Sequence, residues 1–220
     1  MGYDNIGRSI AAYERSSAVT KFSSKFDRFV AEQGGDVSDF GVNANRKYLG
    51  PSDGFESSVF TYDKADGLAL FNADSTNDGG MCYLCHLTTA YDADTPPILT
   101  DFSYDNLGIP LNPRVVELLE ITDYPYATGL GLGGREDIAD PAEYGKFKVP
   151  TLRNVARTAP YGHNGYFPTL YDVVHFLNER DSMGLPAKVE DNVNDIELGN
   201  LGLSFQQEMK LVLFLETLTD

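Results

Sequence analysis

The sequence predicts a mostly α fold with long irregular loops. Apolar residues recur at helical spacing in several segments, no stretch alternates apolar and polar residues as a strand ladder would, and 21 glycines and 11 prolines break the remainder. No internal repeat is visible. A chain of 220 residues can form one sizeable core. We therefore predict a single domain over residues 1–220, with an N-terminal helix and loop at 1–62 and a core at 63–220.

The first predicted element is a helix from Asp4 to Gln33, because apolar residues recur there every three to four positions. Gly34 and Gly35 end it. The following stretch, 36–58, is polar and rich in glycine and is predicted to be a loop. The apolar stripe of the helix comprises Ile6, Ile10, Tyr13, Val19, Phe22, Phe26 and Phe29.

A short helix is predicted from Tyr62 to Asn72, with Leu68 and Phe71 facing inward. Residues 88–146 are dense in Gly, Pro and Asp, so we expect mostly irregular structure there, with one short helix from Arg114 to Ile121.

Two further helices have recognisable starts. Thr169 and Asp172 resemble a capping box, and Ser204 with Gln207 repeats the pattern near the C-terminus. The first of these helices carries an apolar stripe of Leu170, Val173, Val174 and Leu177.

The run CYLCH, from Cys82 to His86, carries the most chemical information. C-x-x-C-H is the attachment signature of c-type haem: each thiol can form a thioether to a porphyrin vinyl group, and the adjacent imidazole reaches the iron. The competing interpretations are a redox dithiol, which would favour a βαβ context, and half a zinc site, which would need a second ligand pair. The chain has no other cysteine, and its other histidines are His163 and His175. We therefore predict one covalent haem c.

The net charge of −16 and the pI near 4.4 argue against nucleic acid or an anionic membrane surface as a partner. A cationic partner is favoured, although acidity can also serve solubility alone. No apolar run is long enough for a membrane span, and the first residues lack a signal-peptide pattern. Because c-type haem is attached outside energy-transducing membranes, we expect a periplasmic or extracellular protein whose targeting segment is absent from this sequence.

Longer motifs connect the chain to a family. Residues 146–156 read KFKVPTLRNVA, residues 158–165 read TAPYGHNG, and Thr169–Leu170 follows. Together they strongly resemble the C-terminal haem domain of bacterial dihaem cytochrome c peroxidases and MauG-type enzymes. The stretches 10–14, 67–71 and 100–110 resemble that domain in the same order, so the resemblance extends over nearly the whole chain.

The resemblance implies a cytochrome c-like haem domain and an electron-transfer role. In the dihaem family the C-terminal haem accepts electrons and the N-terminal haem meets peroxide. This sequence has one C-x-x-C-H motif and is expected to correspond to the second domain alone. The implied partner is a redox protein, which could be a separate haem subunit.

The resemblance also bears on the sixth position of the iron. In the peroxidases a methionine of the helix after the Thr-Leu pair ligates the iron, and in MauG-type enzymes a tyrosine does so. Leu177 occupies that place and cannot ligate, but it lies on the apolar stripe of the helix and is expected to face the haem. Either the iron is five-coordinate or a nearby donor replaces the ligand. Met183, in a predicted turn from Asp181 to Gly184, is the best candidate by chemistry; the alternative is an ordinary loop or core methionine. His175 lies off the stripe and is predicted to be a packing or surface residue.

Other residues acquire roles from the match. Arg153 could pair with a haem propionate or with backbone carbonyls, and His163 is expected near the haem or an interface. Thr158 and Pro160 match positions whose carbonyls bind an interdomain calcium ion in the dihaem enzymes; this allows calcium here but does not imply it. The acidic stretch 181–200 lacks the calcium-loop pattern and is predicted to be a solvated loop.

Three functions compete at this point. The first is a monohaem cytochrome that passes single electrons to or from a partner protein. The second is peroxidase-type catalysis at an open haem site, for which the sequence identifies no distal acid–base group. The third is a structural or relay subunit of a larger cytochrome complex.

Overall fold

The computed structural model describes residues 2–19, 21–40, 55–92, 94–122 and 129–220. The predicted mostly helical class is confirmed. The helices are α1 (Gly2–Glu14), α2 (Lys25–Glu32), α3 (Tyr62–Asn72), α4 (Pro113–Thr122), α5 (Leu170–Met183) and α6 (Phe205–Leu215).

A small sheet is present where no strand ladder was expected. The strands β1 (Tyr104–Asp105) and β2 (Phe147–Lys148) pair antiparallel, with Tyr104 opposite Lys148 and Asp105 opposite Phe147. Strands of two residues are too short to show an alternating pattern, so the sequence could not indicate them.

The single N-terminal helix predicted for Asp4–Gln33 is wrong, because the structure has two helices there. Ser24 caps α2 in a complete capping box with Asp27, and Phe22 just before it adopts a left-handed backbone with φ 48°. A cap of this kind starts a new helix because its side chain satisfies a backbone N–H that has no partner within the helix. The apolar spacing continues across this break, which hid it.

The apolar stripe of α1 is also not buried. Ile6, Ile10 and Tyr13 are 59%, 53% and 64% exposed, and no residue of α1 is buried. Phe26 and Phe29 of α2 are instead fully buried. The N-terminal part of the core therefore begins at α2.

Helix α3 has the predicted bounds, and Leu68 and Phe71 face inward as expected. It packs against α6 at very short range, since a Cβ atom on Gly67 would lie 2.0 Å from the carbonyl oxygen of Lys210. Lys210 also pairs with the buried Asp66 of α3, with 2.7 Å between Nζ and Oδ2. Because Cys82 follows α3 closely, this contact fixes the element that leads into the C-x-x-C-H run.

The remaining helices lie where the sequence predicted them, except at the C-terminal end of α5. Both predicted capping boxes are present, at Thr169 for α5 and at Ser204 for α6, and α4 lies where a short helix was expected. Met183 was expected in a turn but is the last residue of α5, and the turn begins at Gly184 with a left-handed φ of 64°.

Much of the chain from residue 88 to 146 is irregular, as predicted. The predicted loop at 36–58 is only partly covered, because 41–54 lies outside the described residues. Within the described ranges, each helix is too short or too polar to cross a lipid bilayer.

Candidate haem site

Local backbone geometry places Cys82, Cys85 and His86 on one tight turn. Cys82–Leu84 form a 3₁₀ turn, and the backbone N–H groups of Cys85 and His86 both donate to the Cys82 carbonyl, at 3.3 and 2.9 Å. Both thiols are free. The structure therefore groups two thiols and one imidazole on a single helical turn.

The segment between α3 and this turn is held by backbone hydrogen bonds. Gly80 N–H donates to the Leu70 carbonyl at 2.8 Å, and Met81 N–H donates to the Ala73 carbonyl at 3.0 Å. A Cβ atom on Gly79 would lie 2.1 Å from the Ala73 carbonyl oxygen, so only glycine fits there. The end of α3 thus sets the position of the C-x-x-C-H turn.

A buried polar contact holds the chain on the other side of His86. Thr88 Oγ1 donates to Asn72 Oδ1 at 2.8 Å, and Asn72 Nδ2 donates to the Val37 carbonyl at 2.7 Å. Buried polar groups require such partners because desolvation is otherwise uncompensated. Neither side chain could be identified from the sequence, since an isolated Asn or Thr gives no pattern.

The His86 ring is oriented by a backbone carbonyl. Its Nδ1 lies 2.9 Å from the Leu99 carbonyl oxygen. A carbonyl only accepts, so Nδ1 carries the proton and Nε2 retains the lone pair that an iron ligand needs. Burial lowers the pKa of His86, which favours the neutral imidazole, while the bond to the Leu99 carbonyl and the charge of Asp101 oppose the shift. The donor set therefore fits axial ligation of a haem iron.

The surroundings of Cys82 and Cys85 raise the pKa of both thiols. Burial raises the pKa of Cys82 to about 12 and, with the nearby carboxylates of Asp101, Asp105 and Glu197, raises that of Cys85 to about 11. A thiolate is disfavoured in these surroundings, whereas a thioether carries no charge and can be buried without this cost. The surroundings of both sulfur atoms therefore suit thioether attachment.

Cys85 also belongs to a group of potential metal ligands. Ligand atoms of Cys85, Asp105 and Glu197 lie within 4.8 Å of one another, and Asn194 Nδ2 donates to both carboxylates, at 2.6 and 2.8 Å. Neither Cys82 nor His86 is part of this group. It therefore supplies no second ligand pair for a C-x-x-C zinc site. Glu197 was expected in a solvated loop, but it is half-buried here.

Arg153 is engaged by protein groups. Its Nη1 lies 2.7 Å from Asp27 Oδ2, with both side chains 9% exposed, and its Nε and Nη2 donate to the Pro97 carbonyl at 2.9 and 2.5 Å. The guanidinium also lies over the Phe22 ring, 4.8 Å from its centroid. These contacts match the backbone-carbonyl alternative. Pairing with a propionate stays a prediction.

The two residues considered for the sixth iron position lie in different surroundings on α5. Leu177 is partly buried against the small apolar cluster of Ile109, Phe167 and Phe176. Met183 lies at the C-terminal end of the helix and is 39% exposed. Ligation by Met183 and the placement of Leu177 facing the haem both stay predictions.

The remaining histidines have protein partners. The His163 ring is stacked on Phe147 with 3.7 Å between centroids, and desolvation together with the charge of Lys188 lowers its pKa to about 4. His175 Nδ1 lies 2.9 Å from Oε1 of the buried Glu208. His175 is thus a packing residue that joins α5 to α6, as the pattern indicated.

The residues matched to calcium carbonyls lie on the surface. Thr158 and Pro160 are exposed, and Thr158 Oγ1 donates to the Val155 carbonyl at 3.0 Å. Calcium binding at these carbonyls stays allowed but not implied.

Comparison with known proteins identifies relatives that agree with the motifs. The chain is 31% identical to the methylamine utilization protein MauG of Paracoccus denitrificans over 99% of its own length and 52% of that protein. It is 32% identical to the cytochrome-c peroxidase IdrP2 of Denitromonas iodatirespirans over 74% of its length and 41% of that protein. No protein-family model matches the chain.

Solved structures give the same result. A variant of the diheme peroxidase BthA from Burkholderia thailandensis superposes with a TM-score of 0.63 and 25% identity, covering 95% of this chain and 48% of that one. The wild-type BthA structure gives a TM-score of 0.58. The chain therefore spans about half the length of the relatives it matches.

Proposed function

We propose that this chain, a relative of MauG and the cytochrome-c peroxidases, is a haem domain that holds one covalent haem c and passes single electrons to or from a partner protein. The observation that carries the proposal is the joint placement of Cys82, Cys85 and His86 on one turn, with the His86 Nδ1 bound to the Leu99 carbonyl. That arrangement leaves two thiols and one imidazole lone pair for a haem.

The chain's own residues support this role. Cys82 and Cys85 would form the thioethers, and His86 would be the proximal ligand through Nε2. The bound haem supplies an iron that changes oxidation state by one electron. Phe71 lies beside His86, with 6.5 Å between ring centroids, and packs on Phe214 at 5.1 Å. A packed core behind the ligand limits rearrangement when the iron's charge changes.

The partner in this proposal is a redox protein, which could be a separate haem subunit. The segment 158–165, with Thr158, Ala159 and Pro160 exposed, matches the part of the family that lies near the domain interface. The net charge of −16 favours a partner with a cationic docking surface. We propose a periplasmic or extracellular location, where c-type haem and such partners occur.

Anaerobic stopped-flow spectroscopy tests electron transfer. The ferrous protein is mixed with a ferric basic cytochrome c, and oxidation of its haem is followed at several ionic strengths. The proposal expects fast oxidation, with a rate that falls as salt rises because opposite charges steer the encounter. A ferrous haem that cytochrome c does not oxidise, but that hydrogen peroxide oxidises with turnover, would contradict it.

Peroxidase-type catalysis is the second candidate. It is favoured by Leu177, which offers no donor to the iron where the family has methionine or tyrosine, and by the peroxidase names of the relatives. It requires a group that moves a proton between the peroxide oxygens. Steady-state peroxide turnover with a small-molecule electron donor distinguishes the two candidates, because the electron-transfer proposal expects no turnover above the level of free haem.

A relay subunit, the third candidate, would transfer electrons only within a stable complex.

A further inference from the structure

The segment 97–100 presents the carbonyl that orients His86. Leu99 has no exposed surface and adopts a left-handed backbone with φ 55°. This conformation is unfavourable for a leucine, so surrounding contacts must hold it. It directs the Leu99 carbonyl to His86 Nδ1 at 2.9 Å.

Side chains hold both ends of this segment. Arg153 donates twice to the Pro97 carbonyl, at 2.9 and 2.5 Å, and Thr151 Oγ1 donates to the Ile98 carbonyl at 2.5 Å. On the far side of Leu99, Thr100 Oγ1 donates to the Val149 carbonyl at 2.7 Å. The Pro97 and Ile98 carbonyls and the Thr100 side chain are thus all hydrogen-bonded to residues of the segment 149–153.

The segment 149–153 is itself anchored. Arg153 pairs with Asp27 of α2 at 2.7 Å, and its backbone N–H donates to Thr151 Oγ1 at 3.1 Å. Asp27 is held in turn by the Ser24 cap. The anchor therefore extends from α2 through Arg153 to the carbonyl in front of His86.

We propose that Arg153 and Thr151 are positioning residues that fix the hydrogen bond between Leu99 and His86 and thereby set the reduction potential of the haem. The inference rests on the proposed function, because it takes His86 as the axial ligand. Through its hydrogen bonds to the Pro97 carbonyl, Arg153 acts on the side of the haem that His86 ligates.

The direction of the effect follows from the proximal hydrogen bond. A carbonyl that accepts from Nδ1–H makes the imidazole a stronger donor through Nε2, which stabilises ferric over ferrous iron. Loosening the segment 97–100 lengthens this bond and weakens the donor. The potential should then rise.

Thr151→Val tests this with little risk to folding, since Thr151 is exposed and the substitution removes only the hydroxyl, which donates to the Ile98 carbonyl and accepts from the Arg153 backbone N–H. Thr158→Val is the matched control, because Thr158 is also exposed and donates to a carbonyl, that of Val155, which does not belong to the segment 97–100. At a fixed ambient potential, Thr151→Val should raise the ratio of ferrous to ferric haem by up to about fivefold. This factor corresponds to the free energy that one neutral hydrogen bond contributes. Thr158→Val should leave the ratio unchanged.

Arg153→Lys provides the second variant. Lysine keeps the charge opposite Asp27 but lacks the planar fork that donates twice to Pro97. We expect an upward potential shift in this variant and faster solvent exchange of the His86 Nδ1 proton, followed by NMR. A lower melting temperature with unchanged potential and exchange rate in both variants would show that the anchor is only structural and would overturn the inference.

The result can be separated from failure of the proposed function. If the wild-type haem changes oxidation state and reacts with cytochrome c while both variants match it in potential, the positioning inference is wrong and the proposed function stands. If His86→Ala has the same haem spectrum as the wild type, His86 is not the axial ligand. The proposed function is then wrong, whatever the Thr151 and Arg153 variants show.

Discussion

The Nδ1 atom of His86 lies 2.9 Å from the carbonyl oxygen of Leu99, a residue with no exposed surface. This contact orients the imidazole and places its proton on Nδ1, because a carbonyl oxygen only accepts. The fold therefore leaves Nε2 as the ring nitrogen available for ligation.

His86→Ala should abolish the spectrum of imidazole-ligated haem even if both thioethers form, because no other imidazole lies at the required spacing from the cysteines. Optical spectra of the oxidised and reduced variant test this. His163→Ala is the control, since the ring of His163 is stacked on Phe147, and it should leave the spectrum unchanged. A normal spectrum in His86→Ala would mean that His163 or His175 is the axial ligand.

The sixth iron position is expected to have a weak protein ligand or none. The ferrous protein should then bind carbon monoxide readily, and Leu177→Met should produce a low-spin, thioether-ligated iron with a raised potential. Absorption spectra with and without carbon monoxide provide the measurement.

Met183 offers the alternative outcome for this position. A thioether-to-iron charge-transfer band in the oxidised spectrum that disappears in Met183→Ala would show that the end of α5 supplies the ligand. The 39% exposure of Met183 makes Met183→Ala a mild substitution for the fold.

The sequence predicted the parts of this site that depend on side-chain identity, and it predicted the helices that have caps. Cys82, Cys85 and His86 form a motif, and Thr169 and Ser204 begin α5 and α6 as expected. The Leu99 contact could not be predicted, because a backbone carbonyl leaves no signature in the residue pattern.

The failures have related physical causes. The break before α2 was hidden because apolar spacing continued through Phe22, while the structure stops α1 at Glu14 and restarts at the Ser24 cap. The burial of Glu197 beside Cys85 depends on tertiary packing, which charge patterning cannot reveal. Spacing predicts which residues can share a face, but not which face finds a partner.

Gly67→Ala should destabilise the fold strongly, since its Cβ would lie 2.0 Å from the Lys210 carbonyl oxygen and force α3 away from α6. We expect a loss of more than about 3 kcal/mol in the free energy of unfolding, in the range of severe core substitutions. Gly7→Ala in α1 is the control: no atom lies within 4 Å of its Cβ position, and helix propensity predicts a gain of about 0.5–1 kcal/mol. Equal effects of the two substitutions in chemical denaturation would contradict the close packing of α3 on α6.

His163 should titrate far below an ordinary histidine. Desolvation lowers its pKa from 6.5 to about 4, so the folded protein keeps it neutral where the unfolded chain would take up a proton. Its contribution to stability is therefore present above pH 6.5 and is lost as the pH falls from 6.5 towards 4. NMR titration of the His163 ring in the diamagnetic ferrous carbon monoxide form checks this, and a midpoint at or above 6.5 would refute the stacked, desolvated environment.

Covalent attachment of one haem through Cys82 and Cys85 underlies every role proposed for this domain. Intact-protein mass spectrometry after acid denaturation and treatment with a thiol alkylating reagent measures it most directly. We expect the mass of the 24.2 kDa polypeptide plus one haem and no alkyl group, because both thiols are consumed. The double variant Cys82→Ser with Cys85→Ser should show the polypeptide mass alone. A wild-type chain carrying two alkyl groups and no haem would contradict the account.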